Sequence, residues 1–174
     1  NVRLDRERTE SCFELIEEAL RTTIYDIHDA AIEALSEFDR VYLAKEPELE
    51  LRYFEAVCKR IETEAIKDIK KPMCRAISCF SWQTVKKRAV FVFELLSANS
   101  RANKAIKMND PEIRKYCVKS LNKLFLKVPF EELTVELSKT VFEALSVAIN
   151  DYTVDKRGDI GLVVREEVVD CYSH

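Results

Sequence analysis

Asp110-Pro111-Glu112-Ile113-Arg114-Lys115 marks the chain as helical. Asp followed by Pro and Glu is the pattern of a helix start. The Asp side chain accepts from an otherwise unpartnered backbone N–H of the first turn. Pro loses nothing at the first helical position, and the acid faces the positive end of the helix dipole. Ile113 then begins an apolar series with Cys117, Leu121, Leu124 and Phe125. Steps of three and four are the period of one helix face. Pro129 stops the pattern.

The same period runs along the rest of the chain. Phe13, Ile16, Ala19 and Leu20 share a face, and Ile24, Ile27, Ala31, Leu35 and Phe38 share another. No Gly or Pro separates these two series, so one kinked helix and a helix pair stay open. Pro47 precedes Leu51, Phe54, Val57, Cys58, Ile61, Ala65 and Ile69, and Pro72 is expected to end that helix. Met73, Ile77 and Phe80 predict a short helix. Val85, Ala89, Val92, Phe93 and Leu96 predict one starting near Ser81. Asn99–Asn109 reads as a polar connector. Leu133, Leu137, Val141, Phe142, Leu145, Ala148 and Ile149 predict a helix over Glu131–Ile149. After a loop at Asp151–Asp159, Val163, Val164, Val168 and Cys171 face inward.

Composition agrees with an all-α protein. The 174 residues hold 2 Gly and 4 Pro, too few for the tight turns of a sandwich or barrel. With 28 basic and 31 acidic residues the net charge is −3. That balance argues against nucleic acid as a partner. The longest uncharged apolar run, Ala89–Phe93, is far short of the roughly 20 residues of a membrane span. Six Cys, at 12, 58, 74, 79, 117 and 171, show no Cys-x-x-Cys. Each replaces an apolar residue in a helical pattern, so free core thiols of a reducing compartment are expected. The chain opens on Asn1, not Met, and its last helical pattern runs to His174. A segment of a longer protein is the expectation for 1–174.

Three helix starts share a shape: Lys71-Pro72-Met73-Cys74-Arg75, Asp110-Pro111-Glu112-Ile113-Arg114, and Asp159-Ile160-Gly161-Leu162-Val163-Val164-Arg165. Their Arg residues lie 39 and 51 apart, bracketing the about 40–47 residues of a HEAT repeat. The second helix of a HEAT unit commonly starts Asp-x-x-Val-Arg, with the Arg at the edge of the stack. The expected architecture is therefore an α-solenoid of about four HEAT-like helix pairs. The approximate units are 5–38, 48–80, 82–126 and 131–173. A closed helical bundle is the competing arrangement.

No constellation supports an enzyme. His28 and His174 are the only His. His174 is terminal, and His28, beside Asp26 and Asp29, is expected at solvent or in an inter-helix groove. Gly158 and Gly161, the only Gly, make no phosphate loop. Glu17-Glu18, Glu131-Glu132 and Glu166-Glu167 are adjacent and point to different helix faces. No Cys/His spacing fits zinc. No catalytic, cofactor or metal residue is expected. Lys67–Lys71 and Lys86–Arg88 flank Trp82. They suit either an acidic partner or a solvated ridge, and Trp82 suits a core anchor. Arg157-Gly158-Asp159 spells an adhesion tripeptide, but the helix start that follows already accounts for the Asp.

One stretch carries a resemblance: Asn150-Asp151-Tyr152-Thr153-Val154-Asp155-Lys156-Arg157-Gly158-Asp159-Ile160-Gly161-Leu162-Val163-Val164-Arg165. It resembles a segment of the tubulin-folding cofactor D family. That family's pattern is Asp-Tyr-Thr, x-Asp, x-Arg-Gly-Asp-Val-Gly, two variable positions, Val-Arg. Asp151, Tyr152, Thr153, Asp155, Arg157, Gly158, Asp159, Gly161, Val164 and Arg165 match, and Ile160 stands for Val. The likeness covers 16 of 174 residues. It departs after Arg165, where Glu167, Val168 and Val169 replace an Ala-rich run. The resemblance implies a non-catalytic HEAT-repeat chaperone, cytoplasmic and cytoskeleton-associated. It implies β-tubulin, cofactors C and E and an Arf-like small GTPase as partners in αβ-tubulin assembly or disassembly. GTPase activation at microtubule precursors would then arise only in the assembled complex. The motif also has an architectural reading. In it Asp159 caps a helix, the glycines allow a tight loop, and Arg157 or Arg165 pairs with Asp151 or Asp155. The alternative function is a generic HEAT scaffold, such as a trafficking or chromosome-associated adaptor.

Overall fold

The computed structural model describes residues 6–102 and 110–173, and over them the protein is all-α. The helices are α1 (Arg6–Arg21), α2 (Tyr25–Val41), α3 (Pro47–Thr63), α4 (Lys67–Ala76), α5 (Trp82–Val85), α6 (Ala89–Ser100), α7 (Pro111–Leu126), α8 (Val135–Ala148) and α9 (Leu162–Tyr172). Among the described residues the only strands are β1 (Val154–Asp155) and β2 (Gly158–Asp159). They form a two-residue antiparallel ladder, Val154 opposite Asp159. Residues 103–109 of the expected connector, residue 5 of the first expected unit and His174 lie outside the described residues.

The question left open at Thr22-Thr23-Ile24 resolves as two helices. Thr22 Oγ1 accepts from Ile24 N at 3.3 Å, and a ring nitrogen of His28 hydrogen-bonds to the Thr22 carbonyl at 2.8 Å. His28 is thereby buried, contrary to the expectation of solvent or a groove. The inward face of α2 runs through His28, Ala31, Leu35, Phe38 and Asp39. That rotation leaves Ile24 and Ile27 exposed, though both were expected inside.

Pro72 does not end a helix. The break comes earlier, at 64–66, where the Glu64 carboxylate accepts from Ile66 N at 2.9 Å. Ala65 is consequently exposed. Pro72 lies inside α4, where it forgoes a backbone hydrogen bond. Pro72, Met73, Cys74 and Ala76 are all buried there, so tertiary packing offsets the loss. Lys71-Pro72 is therefore no helix start. The expected helix from Ser81 divides at Arg88, whose φ of −135° is not helical, into α5, a 3-10 turn at Lys86–Arg88, and α6. The helix expected from Glu131 begins at Val135, because Thr134 caps it through Leu137 N. Leu133 and Phe142, expected inside, are exposed. The Asp110 start stands as read: its side chain accepts from Glu112 N, and Pro111 opens α7.

Helices that follow one another pack together: α1 on α2, α3 on α4, α6 on α7, α8 on α9. Along one side α2, α4, α7 and α9 touch in turn. Along the other, α3 meets α5 and α6 meets α8. α7 is central, against α4, α6, α8 and α9, and its Cys117, Val118, Leu121 and Leu124 are fully buried. Each such side chain contributes roughly 1.5–3 kcal/mol. The six cysteines are free thiols. Cys58, Cys74 and Cys117 are buried, and the other three are half-buried. No described helix is long and apolar enough to cross a membrane.

Candidate functional site

Asp151 organises the Asn150–Arg165 segment that links α8 to α9. Asn150 and Asp151 continue the last turn of α8 through backbone bonds to Val147 and Ala148. The Asp151 carboxylate then turns inward. One oxygen accepts from Arg114 Nε at 2.7 Å; the other accepts from Thr153 N at 3.1 Å and Thr153 Oγ1 at 2.7 Å. Thr153 Oγ1 in turn accepts from Arg114 Nη2 at 2.7 Å. Arg114 is buried at 2% exposure. The expectation of an Arg at the edge of the stack fails for it, because the guanidinium is drawn inward by a carboxylate 37 positions away.

The far side of the segment is closed by Arg165. Its guanidinium donates to the Asp151 backbone carbonyl, and to Asp159 Oδ2 at 2.6 Å. It also lies 4.4 Å from the centre of the Tyr152 ring. Hydrogen bonds from Arg165 hold the Asp159 carboxyl below the usual carboxylate range. Asp159 also accepts from Gly161 N, shaping the entry to α9, but Gly161 and not Asp159 occupies the cap position. A Cβ on Gly161 would stand 2.0 Å from the Asp151 carbonyl oxygen. The loop crosses itself here at a distance that only glycine permits.

The hairpin tip is a separate device. Asp155 accepts from Arg157 N at 2.7 Å and pairs with its guanidinium at 2.6 Å. That bonding lowers the Asp155 carboxyl's pKa. Gly158, at φ +101°, supplies the left-handed residue that a short hairpin loop needs. Arg157 and Asp159 are thus both engaged within the chain, and neither is presented as a free adhesion group. The large apolar side chains that the hairpin exposes are Tyr152 and Val154.

The structure therefore brings Asp151, Thr153, Gly161 and Arg165 together around one buried carboxylate. Asp155, Arg157 and Gly158 stand apart at the tip. Arg114, the inward anchor, was not among the expected site residues. Its only signal was its place in the Asp110 helix start.

Most of the charge of the two basic clusters is paired locally. Lys71 is buried, 2.6 Å from Glu112 and 3.4 Å from Asp68. Lys67 pairs with Asp110, Lys86 with Glu132 and Arg88 with Glu55. Trp82 is buried and donates to Glu132 at 2.8 Å. Among the described residues no group of three or more His, Cys, Asp or Glu is placed to hold a metal ion. Compared with protein-family models, curated proteins and solved structures, the chain matches none.

Proposed function

We propose that this chain is a non-catalytic scaffold segment, an α-solenoid of about four HEAT-like helix pairs that acts by binding protein partners. The observation that carries it is the order of packing. Consecutive helices pair, and α2, α4, α7 and α9 then form one continuous layer. Stacked pairs of this kind share a core that no single pair closes alone, and they offer a long surface. The units 5–38, 48–80, 82–126 and 131–173 correspond to the pairs α1–α2, α3–α4, α5/α6–α7 and α8–α9. Small-angle scattering tests the architecture. A solenoid gives an elongated particle, and a globular profile overturns it.

The Asn150–Arg165 motif favours a cofactor D-like parent, with β-tubulin, cofactors C and E and an Arf-like small GTPase as partners in the cytoplasm. The test mixes the full protein with purified αβ-tubulin and the small GTPase and follows co-elution by size exclusion. Failure to associate with either overturns the parentage. A second reading, a general HEAT adaptor, is favoured by the bonding of the motif itself. Asp151, Thr153, Asp159 and Arg165 spend their hydrogen bonds within the chain, so the string serves the loop and leaves partner choice to other surfaces.

A further inference from the structure

We infer that the cleft between α2, α4 and α7 is a docking site for an extended acidic peptide segment of a partner protein. The cleft measures about 550 Å³, and its rim carries Arg75 from α4 and Lys115, Lys119 and Lys123 from α7. Against these four cations stand Asp29 and Glu33 of α2. The chain as a whole is acidic, at −3, so this cleft inverts the sign of the molecule.

Some of the rim charge is already engaged. Arg75 pairs with Asp29 at 2.6 Å and lies 5.1 Å from the centre of the Tyr116 ring. Lys119 is 3.7 Å from the buried Glu167. Lys115 and Lys123 have no ion-pair partner among the described residues. The three lysines sit four residues apart on one helix face, where like charges repel. An anion lying along the row relieves that repulsion.

The spacing selects the kind of anion. Residues four apart on a helix are separated by about 6 Å along its axis. Alternate side chains of an extended strand are separated by roughly 6.6 Å. A peptide with an acid at every second residue thus sets its carboxylates opposite Lys115, Lys119 and Lys123 in register. Asp29 and Glu33 face it from the opposite wall, where they accept from peptide N–H groups. A sugar–phosphate backbone brings no N–H groups to that wall, which favours protein over nucleic acid.

The inference rests on the partner-binding reading above and is tested apart from it. Fluorescence anisotropy follows a labelled ten-residue peptide alternating Glu and Ser, titrated with the full chain at low salt. Saturable binding that weakens with added salt is expected. The double variant Lys115→Glu/Lys123→Glu should weaken it by roughly tenfold or more. Lys59→Glu/Lys87→Glu, placed elsewhere, should leave it unchanged, and circular dichroism melts confirm that both variants fold. Absence of binding, an equal loss in both variants, or equal or tighter binding of an oligouridylate of the same length overturns the inference. Peptide binding without tubulin association overturns only the cofactor D parentage.

Discussion

Arg114 and Asp151 meet at 2.7 Å with their side chains 2% and 3% exposed, which ties the first turn of α7 to the loop between α8 and α9. A buried pair of this kind is costly to break from one side, since the remaining charge is left in a medium that does not solvate it. Arg114→Met should destabilise the chain by about 3–5 kcal/mol in urea unfolding. Arg114→Met combined with Asp151→Asn should recover part of that loss. A double variant that shows the simple sum of the two single losses would mean that the groups act independently.

The two glycines should respond to substitution in different ways. Gly161→Ala places a methyl against the Asp151 carbonyl oxygen, so backbone has to move. A loss of about 3 kcal/mol is expected, at the upper end of overpacking costs. Gly158→Ala meets open space and carries only the left-handed backbone strain, about 1–2 kcal/mol. Gly158→Asn should cost less than Gly158→Ala, because Asn tolerates that region. Thermal melts of the three variants give the order, and a Gly158→Ala more damaging than Gly161→Ala contradicts it.

How far the chain could be read depended on the range of the interactions. The Asp110–Glu112 cap was legible because its parts are adjacent in sequence. The Arg157–Asp155 pairing was legible only as one of several combinations of Arg157 or Arg165 with Asp151 or Asp155. Pro72 misled because its cost is local, while the burial that offsets it comes from helices elsewhere in the chain. Arg114 was placed at an edge, since nothing within its own helix shows a carboxylate waiting 37 positions away. The lysine row at 115, 119 and 123 carried no signal of its own in the sequence. Its significance appears only when α2 and α4 form the opposite walls. The motif was recognisable as a string, yet its chemistry turned out to be directed inward.

Asp39 of α2 and Glu50 of α3 form a second buried acidic site. Glu50 accepts from Ser81 N at 2.8 Å and Thr84 Oγ1 at 2.7 Å. Burial pushes the Asp39 carboxyl up to about 8, and the charge and hydrogen bond of Glu50 add to the rise. The unfolded chain releases this proton near 3.8 and the folded chain near 8. Between those values the folded state binds more protons. This contribution to stability is therefore full below about pH 4, falls as pH rises, and is lost above about 8. Asp39→Asn removes the titration. The variant should unfold at higher urea than the wild type at pH 8, with the gap closing toward pH 4. A gap that stays constant with pH would place the linkage elsewhere.

Trp82, the one tryptophan, gives a local probe of the contact between α5 and the turn before α8. Its indole N–H donates to Glu132, and Lys86 lies 3.4 Å from the same carboxylate. The Trp82 hydrogen bond, with help from Lys86, holds the Glu132 pKa below its ordinary 4.5. A depressed carboxylate stabilises the fold above its unfolded pKa and loses that contribution as pH falls through the folded value. Tryptophan emission should accordingly change at a pH below 4.5, ahead of any loss of helical circular dichroism. Glu132→Gln keeps an acceptor for the indole but has no charge to titrate. Its emission should be flat across the same acid range, and a transition identical to that of the wild type would show that another group moves the probe.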